Sequence, residues 1–283
     1  METTTPGGRK TPILEAHEAR IPVLGFGTWE LTDGTAERMT REALEVGYRH
    51  IDTAEAYGNE DEVGRAIEAS DVPRDEIFLT TKIWPDSYSD FEAAVDERLE
   101  LLRTDRVDLL LLHWPRFRDT TLTRTVEALN RARRQDKTRH IGVSNFNTDQ
   151  LARAWAASEA PLVTNQVEYH PFLAQGPVLD AVREREMCLT AYSPLAHGQV
   201  PGNRILEAIG SDHGVSAAAV AIRWLIQQDD VAALPRTSDP DHCRDNFSAL
   251  EIELDEEEMD RIAELARPDG RVIDPPGLAP EWD

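Results

Sequence analysis

The sequence predicts an α/β fold, a single (β/α)₈ TIM barrel, and three observations carry that reading. Eight short runs rich in apolar and β-branched residues recur along the 283 residues. Longer charged segments with helical spacing separate most of them. Several runs are apolar throughout, as parallel strands buried on both faces are. A chain of this length divides into two domains at roughly 150 residues each, but one α/β barrel commonly fills it. No linker, low-complexity block or tandem repeat breaks the alternation. The expected organisation is therefore a flexible N-terminal arm over residues 1–10 and one barrel domain over residues 11–283. A doubly wound sheet is the alternative that alternation alone leaves open.

Each element follows in order. Residues 1–10 have no apolar core, so they read as a mobile arm and not a secretory signal. Residues 12–23 precede the first barrel strand and suit an N-terminal β-hairpin that closes the barrel bottom. Strands are expected at 25–29, 49–52, 77–83, 107–113, 140–145, 162–168, 187–194 and 231–235. Between the third and fourth, Phe91, Ala94, Val95, Leu99 and Leu102 recur at three- and four-residue steps. They give residues 91–102 one apolar helical face, with Asp90 or Ser89 as its cap and Pro73 and Pro85 marking turns. A last helix is expected over 255–266. Its acidic start, Glu256, Glu257 and Glu258, reads as favourable N-terminal charge on a solvated face in preference to a metal site.

Composition excludes several classes. At 40% hydrophobic and 29% charged residues the chain is globular. Cys188 and Cys243 cannot frame a disulfide scaffold and have no metal-ligand spacing, so both read as reduced structural residues. No apolar stretch reaches the roughly 20 residues of a membrane span. Fifty-three acidic against 30 basic residues give a net charge of −23. That charge repels nucleic acid and anionic membranes, which are not expected partners. It also repels itself, and salt at 1 M screens such repulsion within about 3 Å. The reading is a cytoplasmic protein of a halophilic organism with molar intracellular salt. Lys10, Lys82 and Lys137 are the three lysines against 27 arginines, so each lysine invites a reason.

Two familiar dinucleotide signatures fail. Gly25-Phe26-Gly27 opens a GxGxxG, but Glu30 stands at its third glycine. No tyrosine is followed four residues later by a lysine, and neither GxxxxGK nor HExxH occurs. Polar residues instead gather at the C-terminal ends of predicted strands, where barrel enzymes place their chemistry. The second strand ends His50-Ile51-Asp52-Thr53 with Tyr57 just beyond, the third runs into Thr81-Lys82, and the fourth into His113-Trp114-Pro115. Asp52, Tyr57, Lys82 and His113 can thus converge over one barrel mouth. An ammonium near a phenol favours its anion and lowers its pKa from about 10. Tyr57 would then protonate a carbonyl oxygen as it gains charge, Asp52 would orient Lys82, and His113 would donate to the same oxygen. Singly, each has a plainer explanation: a helix cap, a core histidine, a packing tyrosine. Together, on consecutive strand ends and around a scarce lysine, they favour catalysis without a metal.

The ordered runs Gly25-Phe-Gly-Thr-Trp29, His50-Ile-Asp-Thr-Ala54 with Tyr57-Gly58, Thr81-Lys-Ile-Trp84, Leu112-His-Trp-Pro115, Gly142-Val-Ser-Asn-Phe146, Asn165-Gln166 and Ala191-Tyr-Ser-Pro-Leu195 resemble the aldo-keto reductase family. The likeness covers roughly residues 12–268 and is nearest to the microbial diketogluconate-reductase-like branch. It implies a (β/α)₈ barrel that binds NADP(H) in extended form and uses the Asp–Tyr–Lys–His tetrad to reduce aldehydes or ketones. Thr28 would lie among the cofactor contacts. Ser144, Asn145 and Gln166 would hold the nicotinamide carboxamide, Tyr192 would stack on the ring, and Ser193 and Leu195 would meet the pyrophosphate. Trp29, Trp84 and Trp114 resemble the walls of a substrate pocket. For Ser144 and Asn145 the plainer reading is a helix cap, and for Tyr192 barrel packing.

One segment departs from the family pattern. Where relatives present Lys-Ser, an Arg six residues after that Lys, and Glu-Asn, this chain has Arg236-Thr237, His242 and Asp245-Asn246. Arg236 remains a bidentate phosphate partner, whereas His242 is mostly neutral at pH 7 unless Arg244 replaces it. NADPH use with weak discrimination against NADH is the expectation, so NAD(H) use is plausible. His170 and His197 sit at or beyond strand ends, His197 as a surface loop residue. The tail 275–283 either closes the pocket through Trp282 or lies on the surface. Two other activities share the same residues: a lyase forming a Schiff base on Lys82, and a nucleotide-bound sensor that turns over rarely.

Overall fold

The computed structural model describes residues 11–283, and the expected arm over 1–10 lies outside the described residues. Eight strands run parallel: β3 (Phe26–Gly27), β4 (His50–Asp52), β5 (Phe78–Ile83), β6 (Val107–Leu112), β7 (Thr138–Ser144), β8 (Leu162–Glu168), β9 (Cys188–Tyr192) and β10 (Val231–Leu234). They pair in sequence order. The sheet closes on itself where Gly25 N donates to Ala233 O at 2.9 Å and Ala233 N donates to Val23 O at 2.8 Å. Closure depends on Gly25, since a Cβ there would lie 2.5 Å from Leu234 Cδ2 and 2.9 Å from the His50 ring. The predicted barrel therefore forms, with most strand ends within two residues of expectation. The first strand is shorter than the expected 25–29: Thr28 N makes a last bond to Asp52 O, and Leu31 N then bonds back to Thr28 O in a turn.

Helices α1 (Thr35–Val46), α2 (Glu60–Glu68), α3 (Phe91–Leu101), α4 (Leu122–Arg134), α5 (Thr148–Ala157) and α6 (Gly176–Arg183) each follow one strand. Two helices, α7 (Arg204–His213) and α8 (Ala217–Ile226), follow β9; α9 (Pro240–Phe247) and α10 (Glu256–Ala263) complete the chain. Apolar α8 has eight of its residues buried, and a fully buried Leu, Ile or Val contributes about 1.5–3 kcal/mol. Among the described residues no single helix is long and apolar enough to cross a membrane. Asp90 stands at the N-cap of α3 but its side chain makes no capping bond, because the 3₁₀ turn Pro85–Asp90 leads the chain directly into the helix. The acidic start of α10 is only partly solvated. Asp255 and Glu258 form a capping box, and Glu258 also meets His213 Nε2 at 2.9 Å.

The hairpin β1 (Ile13–Ala16) and β2 (Ala19–Pro22) is present. Ala16, Ala19 and Ile21 pack on Phe78, Val163 and Cys188, which lie in the first two residues of β5, β8 and β9. The hairpin thus plugs the N-terminal end of the barrel and leaves the opposite end open. Cys188 and Cys243 are both buried and free.

Candidate active site

Parallel register sets Asp52, the last residue of β4, opposite Thr80 of β5. Side chains alternate with period two along a strand, so Thr80 and Lys82 share the face that meets Asp52. Lys82 is fully buried. Its Nζ donates to Asp52 Oδ1 at 2.5 Å, to Thr53 O at 2.8 Å and to Tyr57 Oη at 3.3 Å. An ammonium has three N–H donors, and all three are used. Burial pulls the Lys82 pKa down, but Asp52 and Tyr57 outweigh it and the net direction is up. The lysine is therefore a cation at neutral pH.

Tyr57 reaches this amine from the 3₁₀ turn Glu55–Tyr57. Gly58 ends the turn at φ 64°, a conformation that favours glycine. Sequence reasoning expects Lys82 to make this phenol acidic. The structure corrects that: burial raises the Tyr57 pKa by more than Lys82 lowers it, so the net direction is upward from 10. Lys82 offsets part of the burial cost, and Tyr57 is a neutral phenol that keeps its proton at neutral pH. His113 sits edge-on to Tyr57, ring centroids 5.8 Å apart. Its backbone N–H donates to Ile83 O, and its carbonyl accepts from Asn145 Nδ2 at 3.0 Å. Burial and then Lys82 hold its pKa well below the ordinary histidine value, leaving a neutral imidazole. The four predicted catalytic residues converge.

Above them opens a cleft of about 1180 Å³ at the C-terminal ends of the strands. Thr28, Ser144, Asn145, Gln166, Tyr192, Ser193, Leu195 and Arg236 all line it, as do Trp29, Trp84 and Trp114. Gln166 Nε2 donates to Asp52 Oδ2 at 2.8 Å, tying this wall to the lysine pair. Tyr192 Oη donates to Asn145 Oδ1 at 2.8 Å, and Asn145 Nδ2 donates to Ser144 Oγ. Neither Ser144 nor Asn145 caps the following helix. Asn147 does, through a capping box with Gln150. Exposed His197 lines the cleft and stacks on Trp29 at 5.3 Å.

The departing segment divides. Arg236 faces the cleft, but its Nε donates to Trp29 O and a terminal nitrogen to Glu30 Oε2, both at 2.8 Å. Thr237, His242, Asp245 and Asn246 are not on the cleft wall. Thr237 and Asn246 are buried, His242 is exposed, and Asp245 accepts from Ser216 Oγ at 2.5 Å. Arg244 pairs with Glu42 and Asp241.

The tail closes one side. Trp282 is partly buried, with the Arg271 guanidinium 3.7 Å from its ring centroid and Trp114 at 6.4 Å. Val272, Ile273 and Leu278 line the cleft. Their anchor is Glu168, the fully buried last residue of β8. Val272 N and Ile273 N donate to its two carboxylate oxygens at 2.7 and 2.9 Å, and His170 Nε2 lies 2.9 Å away. At the far end Asp283 accepts from Thr148 N and Oγ1 at the start of α5. Glu168→Gln cannot accept both amides, and losing a hydrogen bond to a charged group costs on the order of 1.5–3 kcal/mol. A melting temperature lower by several degrees and a raised carbonyl KM are expected, measured by calorimetry and steady-state kinetics; an unchanged KM would show that the tail wall does not depend on this anchor.

Sequence reasoning missed Glu168, Glu55 and Glu30. Glu55 accepts from Trp84 N at 2.6 Å and Ser87 Oγ at 2.5 Å, so it sets the Trp84 wall. The one available signal was a carboxylate ending an otherwise buried strand at Glu168. Among the described residues no group of three or more His, Cys, Asp or Glu is placed to hold a metal.

The sequence profile of the aldo/keto reductase family matches residues 23–267. The methylglyoxal reductase DkgB of Escherichia coli O157:H7 is 37% identical over 267 residues, covering 93% of this chain and 99% of that protein. A solved structure provisionally named a 2,5-diketo-D-gluconic acid reductase B is 49% identical with a TM-score of 0.94, covering 96% of this chain and 98% of that one. A variant of Gox0644 solved in complex with NADPH is 30% identical with a TM-score of 0.88, covering 96% of this chain and 100% of that one.

Proposed function

The chain belongs to the aldo/keto reductase family, and on that premise we propose that it reduces aldehydes or ketones to alcohols with a nicotinamide cofactor, Tyr57 being the proton donor. The observation that carries the proposal is the Lys82 ammonium, saturated by Asp52, Thr53 and Tyr57 on the cleft floor. As the carbonyl oxygen gains negative charge, Tyr57 Oη gives it a proton and Lys82 stabilises the phenolate left behind. Neutral His113 donates to the same oxygen and fixes its position. When bound, the reduced nicotinamide supplies the hydride that the carbonyl carbon receives. The reverse reaction oxidises the alcohol and returns the proton to Tyr57.

The cleft wall fits such a cofactor. Ser144, Asn145 and Gln166 offer hydroxyl and amide groups to a carboxamide, Tyr192 offers an aromatic face, and Ser193, Leu195 and Arg236 continue the wall toward phosphates. A Schiff base on Lys82 needs a free amine lone pair, which three hydrogen bonds and a neighbouring carboxylate deny it. A rarely turning sensor gives no reason for a complete proton-donor assembly. The net charge of −23 supports a salt-rich cytoplasm as the setting. Consumption of NADPH and NADH with a panel of carbonyls in molar KCl tests the reading, and no carbonyl-dependent consumption of either would reject it.

Cofactor choice turns on Arg236. Glu30 already holds the guanidinium that a 2′-phosphate would engage, so NADPH is accepted with weak discrimination against NADH. An exposed ion pair is worth about 0.2–1 kcal/mol. Glu30→Gln is therefore expected to tighten NADPH binding up to roughly fivefold and leave NADH binding near its starting value. Fluorescence titration of both cofactors measures this directly, and equal tightening of both would dissociate Glu30 from phosphate recognition.

A further inference from the structure

We infer that Asn59 is a positioning residue whose carboxamide fixes the turn carrying Tyr57 against the loop 28–31 and the end of β4. Its role presupposes Tyr57 as the proton donor proposed above and adds what holds that donor in place. Among the described residues the Tyr57 hydroxyl has one hydrogen bond, the 3.3 Å contact from Lys82 Nζ. So long a bond leaves the phenol's position to the chain that bears it. That chain is a single 3₁₀ turn, Glu55–Tyr57, ended by Gly58. Asn59 comes next and is buried.

Asn59 stands at the N-cap of α2, where an asparagine side chain ordinarily accepts a bond from the first turn of the helix. Here it makes no such bond. Nδ2 donates instead to Thr28 O at 2.8 Å and to Leu31 O at 2.9 Å, and Oδ1 accepts from Thr53 Oγ1 at 3.1 Å. The two carbonyls only accept, so the nitrogen must face them, and both of its hydrogens are used. Each partner belongs to the site. Thr53 O accepts from Lys82 Nζ at 2.8 Å. Between Thr28 and Leu31 lie Trp29, on the cleft wall, and Glu30, which holds Arg236. One buried amide thus ties the Tyr57 turn to the lysine's backbone acceptor on one side and to the cleft wall on the other. A helix cap needs none of these bonds, whereas a reacting group displaced by about 1 Å can lose on the order of a hundredfold in rate.

Asn59→Ser separates the two roles. Serine caps a helix about as well as asparagine does, but its single hydroxyl cannot span three partners. With NADPH, kcat for carbonyl reduction is expected to fall at least about tenfold. In a Tyr57→Phe background the same change should alter the residual rate by less than about twofold, because no donor is left to misplace. The free protein supplies a readout that needs no turnover. Subtracting the alkaline tyrosinate titration of a Tyr57→Phe protein from that of its parent isolates this phenol. Burial is the largest cause of its raised pKa, so a loosened turn that admits water should move the midpoint down by roughly half a pH unit or more. Asn59→Thr, which also caps and fills more of the vacated space, is measured alongside in case the serine variant does not fold. An unmoved midpoint in the folded variants overturns the inference, as does a native-like kcat, or an equal loss with and without the Tyr57 hydroxyl. A native protein that turns over no carbonyl with NADPH or NADH would instead remove the functional reading, and the titration would still decide whether Asn59 places the phenol.

Discussion

Tyr57→Phe is expected to lower carbonyl reduction by about 10²–10⁴-fold while NADPH still binds with near wild-type affinity. The substitution removes one oxygen and no carbon, so the ring keeps its edge-on contact with His113. Lys82 loses a 3.3 Å acceptor but retains Asp52 and Thr53, so stability should change by no more than about 1 kcal/mol. The pH profile supplies a second readout. Because the Tyr57 pKa lies above 10, the phenol is protonated across neutral pH. Reduction by the native enzyme should therefore stay level from about pH 6 to 9 and fall only as the phenol ionises beyond roughly pH 10. Alcohol oxidation needs the phenolate and should rise over that alkaline range. The variant should show neither limb. Activity close to native, or an unaltered alkaline limb, would remove Tyr57 from its role.

Lys82→Met should be the most costly change for the protein as a whole. Methionine fills much of the lysine stem's volume, but it leaves Asp52, only 4% exposed at its side chain, with Gln166 as its remaining side-chain donor. Removing one partner of a buried pair costs about 3–5 kcal/mol, equivalent to roughly 6–15 °C in melting temperature for a chain of this size. Reduction should fall at least as far as in Tyr57→Phe, since the developing phenolate loses its counter-charge. Adding Asp52→Asn to Lys82→Met removes the stranded carboxylate and should recover part of the stability without restoring turnover. Calorimetry of the two single variants and the double variant measures this coupling. Additive losses would mean that the two groups do not form the buried pair described.

The barrel was legible because its signal is local. Residues 162–168 form the one strand whose ends match expectation at both positions, and they are apolar or uncharged up to a terminal glutamate. Asp52, Lys82 and His113 were legible for the same reason, each standing at a strand's C-terminal end. The direction of the Tyr57 pKa was not, because it depends on how far the folded cleft strips water from the phenol. Equally hidden were pairings between distant segments. Glu30 meets Arg236 across 206 positions and Glu168 meets the tail amides across 104 and 105. No periodicity announces them. Thr237, His242, Asp245 and Asn246 follow Arg236 closely in sequence, yet none lines the cleft: Thr237 turns back onto Asp239, and α9 carries the other three away.

The tail's anchorage has a practical corollary for redesign. Glu168 grips main-chain N–H groups, which every amino acid except proline provides. The side chains at 272 and 273 therefore contribute little to that grip while they face the cleft. Libraries at these two positions, proline excluded, can remodel the lining with the strap still fastened, so substrate range becomes tunable independently of the fold.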